Sequence, residues 1–166
     1  MFQALIAEGI MTTYTKDIQF NLVVSNIKAN THNQALATLA KNAADYLNIS
    51  EKTLLQRIND KEDLSISTIG DGVAIPHLKM RRIDKPFTML MTLDGGVHCD
   101  TPDGQPVKIY GLLISPSDDG PIHLRRLSRV SRLLQNKTLH KRIEETQDRD
   151  VIQSLLMNPE GWLMAA

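Results

Sequence analysis

Apolar positions recur along this chain with two different periods, and the switches between them sketch the fold. In 17–27, Ile18, Phe20, Leu22 and Val24 alternate with other residues, the period of a strand with one buried face. The period then lengthens. Leu36, Leu39, Ala40, Ala43, Ala44 and Leu47 recur at helical spacing, and Thr31 stands three residues before Gln34 in a capping-box pattern, which predicts a helix over 32–47. Ser50 with Glu51 opens a shorter helix whose apolar face is Leu54, Leu55 and Ile58, with Arg57 beside it near the helix end. Alternation returns in 64–69 and meets Gly70-Asp71-Gly72, two glycines around an aspartate that suit a tight turn. Val73-Ala74-Ile75 resumes the extended chain. Pro76 biases Ile75 to the β region and removes an amide, so His77 is predicted at a strand end or in a loop.

Phe87, Met89, Met91 and Leu93 alternate in a strand over 87–93, and Asp94-Gly95-Gly96 reads as a turn. Pro102-Asp103-Gly104 is a second turn, and 107–114 is nearly continuous apolar sequence, as a central strand requires. A helix over 120–135 carries Leu124, Leu127, Val130, Leu133 and Leu134 on one side. Arg125, Arg126, Arg129 and Arg132 occupy its remainder, read as a solvated basic face. Thr138 is the expected cap of a helix bearing Leu139 and Ile143, and Asp148 of one bearing Val151, Ile152 and Leu155. Strands interspersed with helices indicate an α/β domain, with helices packed on a mixed sheet. The domain is expected over 17–157. Residues 1–16 form an N-terminal extension or short docking segment, with Met11 an alternative start, and 158–166 form a C-terminal tail.

Composition narrows the function. A chain of 166 residues suits one domain. Nineteen basic residues offset nineteen acidic ones, which argues against nucleic acid as a general partner. The single cysteine, Cys99, excludes an internal disulfide framework and fits a reducing cytoplasm. No apolar run approaches the roughly 20 residues that span a bilayer, so membrane insertion is not expected. Residues 2–11 contain Glu8 and lack a basic n-region, unlike a signal peptide.

Five histidines are the candidates for chemistry at neutral pH. His32, in the first turn of a helix, and His140, on a charged helix, are expected to be solvated. His98 adjoins Cys99, but strand neighbours point to opposite faces, and no CxxC or HExxH spacing supports a metal. His77 follows two glycines and a proline at the rim of a sheet, a position that is either functional or merely packed. His123 begins a helix after Asp118-Asp119-Gly120-Pro121, where free amides attract anions, or else has no role. No serine-nucleophile, dinucleotide or P-loop pattern occurs. Three readings stay open on these residues: a histidine-centred site at His77 and His123, a pure binding module, and a metal enzyme using His77, His98 and His123.

The segment 69–77 (IGDGVAIPH) resembles the phosphohistidine motif of the fructose/mannitol-type IIA domains of the bacterial phosphotransferase system. Pro102-Asp103-Gly104-Gln105-Pro106-Val107 is similar to the family's PDGxPV turn, Ile114-Ser115-Pro116 to its strand end, and His123-Leu124 to its second histidine and helix. Four motifs in order, across 17–157, make the resemblance specific. It is nearest to the family's stand-alone nitrogen-regulatory branch, because no fused transport domain is seen. The resemblance implies a three-layer α/β domain, a mixed β-sheet flanked by helices. It implies that His77 accepts a phosphoryl group from a small histidine phosphocarrier, that His123 lies beside that site, and that Arg57 neutralises phosphoryl oxygens. No cofactor is implied. The implied partners are the phosphocarrier and a regulated sensor kinase or transport protein, or alternatively a sugar-specific IIB domain. Several residues depart from the family pattern. Leu78 replaces a glycine and is expected to crowd the acceptor or face a partner. Asp71 replaces an asparagine and is expected to repel the incoming dianion. Thr68 replaces a glycine, and Ile58 stands where glutamate is common.

Overall fold

The computed structural model describes residues 19–62 and 67–157. The readings of 1–16, 158–166 and part of 64–69 therefore lie outside the described residues. Among the described residues the strands are β1 (Leu22–Ile27), β2 (Thr68–Gly70), β3 (Val73–Ala74), β4 (His77–Met80), β5 (Phe87–Val97) and β6 (Val107–Pro116). The helices are α1 (His32–Leu47), α2 (Glu51–Lys61), α3 (Pro121–Leu134), α4 (Lys137–Glu145) and α5 (Arg149–Met157), with a 3₁₀ turn at Ser117–Asp119.

The strands form one mixed sheet in the order β1-β5-β6-β3-β2. β6 is its axis: β5 pairs antiparallel to it on one side, while β3 and then β4 pair parallel to it on the other. The register sets Val73 against Ile109 and His77 against Leu113, so β3 and β4 are one extended segment interrupted at Pro76. The proline breaks only one rung, because its carbonyl still accepts from Leu113 N–H at 3.1 Å.

Strand parity divides the core between two helical layers. Ala74, Leu78, Met89, Met91, Tyr110 and Leu112 pack with Leu36, Leu39, Leu54 and Ile58 of α1 and α2. Val73, Ile75, Leu90 and Ile109 pack with Val130, Leu134, Leu139 and Ile152 of α3, α4 and α5. This is the expected three-layer α/β architecture. Each fully buried leucine or isoleucine contributes roughly 1.5–3 kcal/mol.

Several helix ends follow their local sequence signals. Thr31 caps α1, its Oγ1 accepting from Gln34 N–H at 3.1 Å, and Gln34 Oε1 returns a bond to Asn30 N–H at 2.9 Å. Ser50 caps α2, and the Asp148 carboxylate accepts from Asp150 N–H at 2.8 Å.

Other expectations are corrected. α4 is capped by Asn136, not Thr138: the Asn136 Oδ1 accepts from Leu139 N–H at 3.0 Å. Leu124 is 63% exposed rather than core, and Val151 is also exposed on α5, where Ile152 and Leu156 are buried. β1 begins at Leu22; Val23 is buried against the α3–α5 layer, while Leu22 and Val24 of the alternating set are partly buried against the α1–α2 layer. Asp94-Gly95-Gly96 does not turn the chain. Gly95 and Gly96, at φ +83° and +75°, lie within β5, where a register shift between Thr92 and Val97 forms a bulge. His77 does lie at a strand end, but at the start of β4, a strand that the proline had concealed, rather than at the close of the strand before it.

Candidate functional site

Alternation along β4 sends Leu78 and Met80 into the core beneath α2, and His77 and Lys79 to the α3 side. Lys79 lies in register with Ser115 of β6. Past Ser115 the chain makes the 3₁₀ turn, reverses at Gly120 and enters α3 with Pro121 in its first turn. That path puts His123, in the first turn of α3, over the start of β4. Gly111, on the same face of β6, permits close packing of this helix: a Cβ there would stand 3.3 Å from Leu134 Cδ1.

The two histidines meet directly. His77 Nδ1 lies 2.9 Å from His123 Nε2, and the rings are tilted by 38° with centroids 5.1 Å apart. His123 Nδ1 lies 2.7 Å from Ser115 Oγ. Arg126 donates to Ser115 Oγ at 3.2 Å and forms an ion pair with Asp119. His123 is 4% exposed and Ser115 is fully buried, whereas His77 is half-buried.

This enclosure keeps the pair uncharged. Burial lowers the His77 pKa below the ordinary imidazole value of 6.5, with Glu62 raising it and Lys61 lowering it by smaller amounts. His123 is pushed down to about 4, first by burial, then by the charges of His77, Lys79 and Arg126, against the pull of Asp119. A neutral imidazole has one unprotonated nitrogen and can act as a nucleophile.

Arg57 approaches from the other side. Its Nη2 donates to the Lys79 carbonyl at 2.8 Å, occupying part of the open edge of β4. The guanidinium is exposed, and the carbonyl it binds belongs to a residue two positions beyond His77 along β4. Thus His77 and His123, far apart in sequence, meet beside one end of β6, and Arg57 is tied to the same strand, β4, through the Lys79 carbonyl. His98 does not join them, and among the described residues no group of three or more His, Cys, Asp and Glu could hold a metal ion.

Several side chains depart from their expected surroundings. Leu78 is 3% exposed in the core, so it neither crowds His77 nor faces a partner. Asp71 sits at the β2–β3 turn, where its N–H donates to Asp103 Oδ2 at 2.9 Å. Val73 alone is four strand residues from His77, about 13 Å, and Asp71 lies beyond it. His32 is not solvated: its Nδ1 is 2.8 Å from the Tyr110 hydroxyl and its Nε2 is 3.2 Å from Glu62 Oε1. The same carboxylate oxygen accepts from Ser67 Oγ at 2.6 Å. His140 is also largely enclosed, with a buried Nε2 that has no hydrogen-bond partner. Arg126 belongs to the site rather than to a solvated basic face. Ser115 and Arg126 were missed as site residues. The available signal for Ser115 was its parity with Ile109 and Leu113 on β6, but its tertiary neighbours are set by register.

A family model described as "Phosphoenolpyruvate-dependent sugar phosphotransferase system, EIIA 2" matches residues 18–158. A nitrogen regulatory protein of Bradyrhizobium diazoefficiens is 34% identical over 137 residues, covering 82% of this chain and 90% of that protein. The crystal structure of nitrogen regulatory protein IIA-Ntr from Neisseria meningitidis superposes with a TM-score of 0.73 at 19% identity, over 81% of this chain and 92% of that one. The IIA mannitol structure from Escherichia coli gives a TM-score of 0.67 at 17% identity, over 81% and 94%. These two likenesses extend the agreement to the fold. No described helix is long and apolar enough to cross a membrane. With the motif residues gathered on that fold and the family model spanning nearly the whole of it, the chain belongs to the EIIA 2 family of the phosphoenolpyruvate-dependent phosphotransferase system.

Proposed function

We propose that this protein is a phosphocarrier whose His77 accepts a phosphoryl group from a small histidine phosphocarrier protein, and whose phosphorylation state regulates a sensor kinase or transport protein. The observation that carries this reading is the neutral pair at the sheet rim, with His77 Nδ1 bonded to His123 and His77 Nε2 turned from it. In-line attack needs a nitrogen lone pair at phosphorus and donors for the charged oxygens. Lys79 and the N-terminal end of α3 supply positive charge on the His77 side of the sheet, and Arg57 adds a cation at the edge of β4 from the α2 side. Ile122 and Leu124, exposed on the first turn of α3, offer a docking surface beside the acceptor. The nitrogen regulatory relatives favour the regulatory branch over transfer to a IIB domain.

The test uses the purified protein with enzyme I, a histidine phosphocarrier and phosphoenolpyruvate. Intact mass should rise by one phosphoryl group, and His77→Ala should abolish the gain while leaving the fold. Arg57→Ala and His123→Ala should slow labelling by on the order of 100-fold without removing it. Labelling of His77→Ala at the wild-type rate, or a phosphoryl group mapped to His123, would overturn the assignment. Transfer onward to a IIB domain would favour the transport branch instead.

A further inference from the structure

Behind the histidine pair stands a row of side chains that the acceptor reading leaves unused. His123 turns Nε2 to His77 and Nδ1 to Ser115 Oγ. Ser115 Oγ also accepts from Arg126 Nη1, and the same Nη1 is paired with Asp119. Ser115 is fully buried, and the Arg126 and Asp119 side chains are largely enclosed. Polar groups in such a setting need defined partners.

Each neutral ring carries one N–H, so the contacts admit two proton arrangements. In the first, the Ser115 hydroxyl donates to His123 Nδ1, His123 Nε2–H donates to His77 Nδ1, and the His77 proton sits on Nε2. His77 then has no free lone pair: one nitrogen is protonated and the other is engaged. In the second, His77 Nδ1–H donates to His123 Nε2, and His123 Nδ1–H donates to Ser115 Oγ. His77 Nε2 is then unprotonated and unengaged. Only this second arrangement can attack phosphorus. It requires Ser115 Oγ to take two donors, His123 and Arg126, on its two lone pairs, with its own hydrogen turned away from both; the Arg126 bond is compatible with either arrangement, and what separates them is whether the hydroxyl hydrogen points at His123 Nδ1. Asp119 fixes the guanidinium, and the guanidinium fixes the oxygen against His123.

We propose that Ser115, held by Arg126 and Asp119, is a positioning residue that keeps the His123 proton on Nδ1 and thereby leaves His77 Nε2 free to accept the phosphoryl group. The proposal rests on His77 being the acceptor. In the transfer, the His77 Nε2 lone pair forms the new N–P bond. The donor's P–N bond breaks, and its electron pair stays on the donor nitrogen. The His77 Nδ1–H remains, bonded to His123 Nε2.

The experiment has two arms, both on the full chain. In the first, nitrogen-15 NMR of histidine-labelled, unphosphorylated protein near neutral pH reads which ring nitrogens are protonated. Wild type should show His77 and His123 both protonated at Nδ1. Ser115→Ala should move the His123 proton towards Nε2, because a buried N–H without an acceptor is costly. Ser115→Thr, which keeps a hydroxyl and suits a strand, should restore the wild-type pattern. In the second arm, phosphoramidate phosphorylates the protein without a docking partner, its P–N bond breaking to release ammonia. Ser115→Ala should slow this labelling by about tenfold or more, Arg126→Met should slow it as well, and Ser115→Thr should recover it. A wild-type His123 protonated on Nε2 would overturn the proposal, as would a Ser115→Ala protein with unchanged ring protonation and rate. Failure of wild type to be labelled at His77 would instead defeat the acceptor reading, while the ring protonation still decides the role of Ser115.

Discussion

His123 has almost no contact with water, and its ring stays neutral at pH values where a free imidazole is protonated. The unfolded chain takes up that proton near 6.5, but the folded chain only at about 4. Between these values the unfolded state binds more protons, so stability is full above about 6.5 and is lost as pH falls towards 4. The lowered pKa of His77 acts in the same direction. The urea midpoint of wild type should therefore fall from pH 7 to pH 4.5 more steeply than that of His123→Gln, and equal slopes would remove His123 as a cause. Two neighbours of the acceptor motif behave differently from what their place in the chain suggests. Leu78→Ala should cost about 2–5 kcal/mol, read by denaturant unfolding, while phosphoramidate labelling of the folded protein is unchanged. Asp71→Asn should leave labelling unchanged at low and high salt, because its separation from His77 exceeds the Debye length of about 8–10 Å. A salt-dependent rate increase would show that its charge reaches the site. The sequence makes both residues look like site residues because chain proximity is visible there. Strand parity turned Leu78 inward, and the extended run of β3 and β4 carried Asp71 to the far end of β6.

At the scale of elements, the β2–β3 turn fixes where the acceptor strand begins. Gly72 has φ +78°, and a Cβ there would stand 2.8 Å from the Pro106 carbonyl oxygen. Its own carbonyl accepts from Lys108 and Ile109 N–H, which locks the turn to the start of β6. Gly72→Ala should destabilise by about 1–3 kcal/mol. Gly104→Ala is the comparison, with φ +70° but nothing within 4 Å of the added carbon, and its loss should be smaller. Equal losses would mean that the contact with Pro106 adds nothing to the backbone strain. The glycine-aspartate-glycine turn was legible, because its requirement for positive φ is local. The bulge in β5 was not, since Asp94-Gly95-Gly96 carries the same local signal whether the chain reverses or continues. Pairing with β6 decided that it continues.

Across the whole molecule, a polar cluster ties the first helical layer to the axis of the sheet. Tyr110 is fully buried in β6, and its hydroxyl meets His32 at the start of α1. His32 in turn meets Glu62 at the end of α2, which Ser67 also contacts. Burial raises the Tyr110 pKa and keeps the hydroxyl protonated. Tyr110→Phe should cost about 1–3 kcal/mol, since His32 Nδ1 loses its partner inside the protein. Unchanged thermal and urea unfolding would show that water replaces the hydroxyl. By itself the sequence determined the periodic elements, most of their caps and the α/β class, because each depends on spacing within a few residues, and it singled out His77 and His123 only through the motif resemblance. Only the tertiary structure decided that His77 opens a strand, that Leu78 is core, that His32 is enclosed and that Ser115 and Arg126 stand behind His123. Those facts depend on strand register and on which helix covers which face. Register is set by pairings between residues tens of positions apart, and shifting it by one residue exchanges the two faces of every strand.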